Sequence, residues 1–163
     1  EQRITLITFD STHKKLFYDN VSARHAHPLT VMDYNPCGGT PLYDAIGMGI
    51  AKINALTKEG DSVLVTIITD GEENCSEEYS LKMIKNLIGK LKKQNWTFTF
   101  IGTDNLDVEG IAMNIGIDNH LQFSEDEAGT RKMFAMENRA RVRFNKCCAV
   151  NDVMESGRYF KDE

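Results

Sequence analysis

Ser62-Val63-Leu64-Val65-Thr66-Ile67-Ile68-Thr69-Asp70-Gly71 carries the strongest fold signal in this chain. The run is near-continuously apolar and β-branched, and Asp-Gly closes it. Strict alternation would mark a strand wet on one face. A continuous run marks a strand buried on both faces, as in the middle of a parallel sheet. Residues 62–69 are therefore predicted to be a central parallel strand. Trp96-Thr97-Phe98-Thr99-Phe100-Ile101 reads the same way and is closed by Gly102-Thr103-Asp104. Between the two runs, Leu81, Ile84, Leu87, Ile88 and Leu91 recur at helical spacing, with lysines on the opposite face.

The same grammar extends in both directions. Residues 3–9 (RITLITF) and 13–18 read as a hairpin at a sheet edge, joined by Asp10-Ser11-Thr12. After a polar connection, Gly38-Gly39-Thr40-Pro41 opens a helix over 41–57, with Thr40 expected as N-cap and Pro41 at the first helical position. Leu42, Ile46, Ile50 and Ile53 form its apolar face. Gly47 and Gly49 cost that helix propensity and suggest a close approach to the sheet. Residues 107–115 suit a short helix ended by Gly116, and 121–123 a short last strand. Ser124-Glu125-Asp126-Glu127 reads as a capping box opening the final helix. Beyond Phe144 no pattern is evident. The class is α/β, a Rossmann-like three-layer sandwich with a mostly parallel central sheet and one antiparallel edge strand. Residues 1–143 are expected to form the domain and 144–163 a C-terminal tail.

Bulk properties narrow the function. The chain has 163 residues, 41% hydrophobic and 26% charged, as soluble domains do, and a net charge of −5 argues against nucleic acid as a partner. Arg131, Lys132, Arg139, Arg141, Arg143 and Lys146 read as the solvated face of the last helix. No stretch approaches a membrane span, so no membrane partner is expected. Cys37, Cys75, Cys147 and Cys148 lack metal or redox spacing, and an unmodified cytoplasmic protein is expected. Among the histidines, His25 and His27 read as a solvated loop.

Two loops carry the candidate chemistry. Gly38-Gly39-Thr40-Pro41-Leu42-Tyr43-Asp44-Ala45 opens a helix, and Ile67-Ile68-Thr69-Asp70-Gly71-Glu72-Glu73-Asn74 closes a strand. They offer a hydroxyl and a carboxylate, hard oxygen donors that suit Mg²⁺ or Mn²⁺. Singly, Thr40 is explained as a helix cap, Asp70 as a turn residue, Asp44 as a dipole partner, and Glu72 and Glu73 as the acidic start of a helix.

Together with Phe100-Ile101-Gly102-Thr103-Asp104, these motifs resemble, in order and spacing, bacterial von Willebrand factor A (VWA) domains, over residues 3–141. The resemblance implies a metal-ion-dependent adhesion site that binds a partner protein's carboxylate and does not catalyse. It implies Thr40 and Asp70 as metal ligands, with Gly39, Gly71, Glu72 and Asp10 at the periphery, and Mg²⁺ or Mn²⁺ as cofactor. The family's Asp-x-Ser-x-Ser loop and the first strand before it have no counterpart here. The expectation is therefore a chain beginning at the family's second strand, with that strand supplied from upstream, by a partner or second copy, or dispensed with. Asp10-Ser11-Thr12 follows a strand, but Lys14 stands where the last serine of such a loop would be. Two alternatives stay open. One is a metal-free scaffold of the same fold. The other is a Mg²⁺-dependent enzyme built on Asp70, Asp104 and Glu72, although no phosphate-binding glycine loop accompanies them.

Overall fold

In the computed structural model, residues 1–30, 32–35, 37–150 and 158–161 are described. The elements run β1 (Arg3–Phe9), β2 (Lys14–Ser22), α1 (Leu42–Asn54), β3 (Val63–Thr69), α2 (Leu81–Leu91), β4 (Trp96–Thr103), α3 (Val108–Ile115), β5 (Asn119–Phe123) and α4 (Glu127–Ala149). The α/β class is as expected. Strands β3, β4 and β5 form a parallel sheet in that order, while β1 and β2 form an antiparallel sheet of their own. The hairpin is thus not the edge of one continuous sheet, as the sequence reading had it, because its two strands satisfy each other locally.

The chain divides into two compact units. Residues 1–57 and 72–80 make the first, and residues 58–71 and 81–163 the second. In the first unit, Leu42, Ala45, Ile46 and Ile50 are buried along one face of α1, in line with the spacing of the apolar residues. Gly47 serves a purpose other than approach to a sheet. A Cβ there would lie 2.5–2.6 Å from three atoms of the Tyr79 ring, so the glycine makes room for an aromatic side chain.

In the second unit, β4 is paired on both sides and is the most buried strand, with Phe98, Phe100 and Ile101 inaccessible or nearly so. From α2, Ile84, Ile88 and Leu91 are buried, and from α3 Ala112 and Ile115. Asp107 caps α3 by accepting from the Gly110 N–H, and Gly116 ends it with a φ of 85°, the left-handed conformation expected of a terminal glycine.

Three local expectations change. β3 is not central: among the described residues its only strand neighbour is β4, and Ile68 is 43% exposed. The final helix is capped by Asp126 rather than Ser124, whose carbonyl instead accepts the Asp126 N–H, while the Asp126 side chain accepts from Gly129. Past Phe144, where the sequence pattern lapses, α4 continues to Ala149. Tyr159 then packs, fully buried, against Ala140 and Phe144. Its N–H donates to Asn119 Oδ1 at 3.0 Å and its hydroxyl to Glu137 Oε1 at 3.2 Å. Burial, and then the Glu137 carboxylate, push the Tyr159 hydroxyl far above its usual pKa. It is therefore a neutral donor that satisfies a buried acid.

Candidate functional site

In the first unit, the opening of α1 is built by side chains that the chain delivers from residues 72–80. Thr40 is not the helix cap. Pro41 occupies that position, with no side-chain cap bond, and the Thr40 carbonyl accepts from Leu42 at 2.9 Å and from the Asn74 N–H at 3.2 Å. The Thr40 N–H donates to Asn74 Oδ1 at 2.8 Å. Asn74 therefore grips both backbone groups of Thr40 and leaves the threonine hydroxyl uncommitted among the described residues. Gly39 is needed for this grip. A Cβ there would meet Asn74 Oδ1 at 2.5 Å and Cys75 Sγ at 2.9 Å.

Two carboxylates lock the segment in place. Asp44, on the first turn of α1 and 2% exposed, accepts three backbone N–H groups, from Glu77, Glu78 and Tyr79, at 2.9–3.1 Å. Lys14 on β2 reaches the same carboxylate at 2.9 Å. Burial by itself would raise the Asp44 pKa, but the ammonium and the three N–H donors outweigh it and hold the group at about 2. The Lys14 pKa is raised in turn, first by its bond to Asp44. Glu73 accepts from the backbone of Tyr43, Cys75 and Ser76 and from the Ser76 hydroxyl, at 2.6–2.9 Å. Burial opposes its ionisation, and these four donors more than compensate.

Glu72 and Glu73 therefore do not begin a helix. The helix starts at Leu81, and the preceding residues are an irregular anchor whose backbone groups need the α1 carboxylate. Sequence reasoning missed Asn74, Ser76, Lys14 and this role of Asp44, since the bonding partners lie about thirty residues apart and neither segment signals the other. The unusual density of short polar residues in residues 69–76 was the one available hint.

The other expected site residues fall as follows. Asp10 is buried at the hairpin turn and spends Oδ1 on the Thr12 N–H, the Thr12 hydroxyl and the His13 N–H, at 2.7–2.8 Å. The Thr12 hydroxyl, first among these donors, holds its pKa at about 2. This is a turn lock of the Asx type. The adjoining Ser11 hydroxyl donates to the Cys37 carbonyl at 3.3 Å, tying the turn to the loop that leads to Gly39 and Thr40.

Asp70 and Gly71 belong to the second unit and follow β3 directly. The Thr69 hydroxyl shapes this end by donating to the Gly71 carbonyl at 2.9 Å and accepting its N–H at 3.1 Å. The Asp70 carboxylate is exposed, and no hydrogen bond or ion pair engages it among the described residues. Glu72, in the first unit, is exposed as well. The Asp104 carbonyl accepts from Gln122 at 3.4 Å at the end of β4.

Cys37 and Cys75 are free thiols, as are Cys147 and Cys148. Burial, and then the charges of Glu73 and Asp44, push the Cys75 thiol up, away from reactivity. Tyr18 holds the His27 backbone, accepting its N–H at 2.9 Å and donating to its carbonyl at 2.5 Å.

Chemically, Thr40 and Asp70 are hard oxygen donors of the kind Mg²⁺ takes when it keeps several waters. No group of three or more His, Cys, Asp or Glu side chains is arranged to hold a metal among the described residues. No helix of the described residues is long and apolar enough to cross a membrane. The sequence matches no protein-family model and no curated protein.

Proposed function

We propose that this chain is a protein-binding module of VWA type that engages a partner carboxylate with the help of Mg²⁺ or Mn²⁺. Thr40 and Asp70 are the residues proposed to supply oxygen to the ion, and water and the partner complete its shell. The observation that carries the reading is how unequally the polar side chains are employed. Asp44, Glu73, Asn74 and Asp10 are spent on backbone N–H groups. The Thr40 hydroxyl and the Asp70 carboxylate are uncommitted, although the loops that present them are tightly bonded. A pinned backbone with an unspent oxygen is how a preorganised ligand residue is built. Two side-chain donors plus water fit the habit of Mg²⁺, which is commonly held through one or two carboxylates and retains much of its hydration. The role is binding, with no turnover assigned to any residue.

Thermal melts with and without Mg²⁺ or Mn²⁺ test this. An ion at a hundred times its Kd stabilises by about 2.7 kcal/mol, a rise of roughly 5–10 °C for a chain of this size. The rise is expected for the wild type and is expected to vanish in Asp70→Ala and shrink in Thr40→Ala. A wild-type melt that neither ion moves would overturn the metal reading. That result would favour the second reading, a metal-free interaction module of the same class.

A further inference from the structure

Residues 158–161 are held the way a receptor holds a short peptide. They form a turn, closed by the Lys161 N–H on the Arg158 carbonyl at 3.2 Å, and add neither helix nor strand. One side chain enters a socket, and the backbone is read on both sides of it. The Tyr159 ring is fully buried against Ala140 and Phe144 of α4. Asn119 of β5 accepts the Tyr159 N–H at 3.0 Å. Arg143 of α4 donates to the carbonyls of Tyr159 and Lys161 at 3.1 and 3.2 Å. Phe160, partly buried, meets the Tyr159 ring edge-on with centroids 4.9 Å apart. Residues outside the segment orient the socket. Asn119 Nδ2 donates to the Phe98 carbonyl at 3.1 Å, which turns Oδ1 toward the segment. Arg141 holds Oε2 of the buried Glu137 at 3.3 Å, and Oε1 accepts the Tyr159 hydroxyl at 3.2 Å. A carboxylate so buried needs a donor at that point, and phenylalanine has none to give. All of these residues belong to the second unit.

We propose that this socket is a recognition site for a tyrosine-bearing peptide, which residues 158–161 occupy in cis and which takes the same sequence from a separate chain. The resident segment defines the ligand. Tyrosine is required for Glu137, and its own backbone N–H for Asn119. Two carbonyls presented by a turn suit Arg143, and a second aromatic residue follows the tyrosine. An aromatic anchor in a desolvated pocket, with a few fixed polar groups around it, is the usual build of a specific peptide site. A tethered occupant competes through its high effective concentration. A separate peptide therefore gains the socket in proportion to the fraction of chains whose resident has left it. The proposal uses neither Thr40 nor Asp70 and goes beyond the metal reading.

Fluorescence anisotropy of a labelled, end-capped peptide with the sequence of residues 156–163 tests it, titrated with the 163-residue chain and its variants. Tyr159→Ala removes the resident anchor and is expected to bind the peptide saturably, one to one. The same peptide with phenylalanine in the tyrosine's place is expected to bind about tenfold more weakly, the worth of one hydrogen bond to a charged group. A peptide with alanine there is expected not to bind. Tyr159→Phe, which keeps the volume and weakens the resident by that same bond, is expected to bind the tyrosine peptide about tenfold more tightly than the wild type does. This comparison decides the matter if Tyr159→Ala does not fold. Absence of saturable binding to the folded variants, or a phenylalanine peptide that binds as tightly as the tyrosine one, overturns the proposal.

Discussion

Asp44 stabilises a stretch of chain that has no secondary structure of its own. Its carboxylate satisfies three backbone N–H groups and the Lys14 ammonium, so removing it strands several polar groups together. Asp44→Ala is expected to cost about 3 kcal/mol, read as a drop in denaturant midpoint at constant slope. The pH dependence follows from the low pKa. An unfolded aspartate titrates near 4, whereas Asp44 titrates at about 2 when folded. Its contribution is therefore complete above roughly pH 4 and is lost as the pH falls toward 2. Acid melts of the wild type are expected to steepen across that window, and those of Asp44→Ala to be flatter there. Gly47 poses the opposite problem. Alanine would gain about 1 kcal/mol of helix propensity but would displace the Tyr79 ring. Overpacking of this kind costs about 1–3 kcal/mol, so Gly47→Ala is expected to be neutral to destabilising, against the propensity scale.

At the level of elements, α4 and the segment carrying Tyr159 depend on each other. Tyr159 fills the space beside Ala140 and Phe144, satisfies Asn119 at the start of β5 and gives Glu137 a neutral donor. Arg143 adds a bond to the Tyr159 carbonyl at 3.1 Å. Tyr159→Ala is expected to cost about 4 kcal/mol through cavity and lost bonds, whereas Tyr159→Phe keeps the volume and is expected to cost about 1–2 kcal/mol. Chemical denaturation of the two variants separates the packing from the hydrogen bond. Little of this was legible in the chain, because a lone aromatic beyond a helix shows no periodicity. Much else at this scale was legible. The runs at β3 and β4, the apolar face of α2 and the left-handed Gly116 all follow from local spacing and steric preference.

At the level of the whole molecule, two compact units alternate along the chain. Trp96, the sole tryptophan, is buried in the second unit, so its fluorescence reports that unit by itself. Asp44→Ala weakens the first unit. Its thermal transition by far-ultraviolet circular dichroism is expected to shift down while the Trp96 transition moves less, a non-coincidence of probes that marks departure from two-state unfolding. Coincident transitions would show that the units unfold as one.

Local patterns carried the α/β class, the order of strands and helices, and the glycine that ends α3. Hydrophobic period and turn chemistry act between neighbours along the chain and are readable there. Tertiary structure alone decided that β3 lies at an edge, that Asp44 and Glu73 bind the segment after β3 rather than solvent, and that Tyr159 completes a core. Each of these rests on a partner remote in sequence, such as the 34 residues from Glu78 to Asp44 or the 40 from Tyr159 to Asn119. A double-faced apolar run states that a strand is able to be central, but the number of its neighbours is set by which other strands fold beside it. A carboxylate's role is likewise set by the N–H groups that arrive next to it, and no spacing within its own helix encodes their arrival.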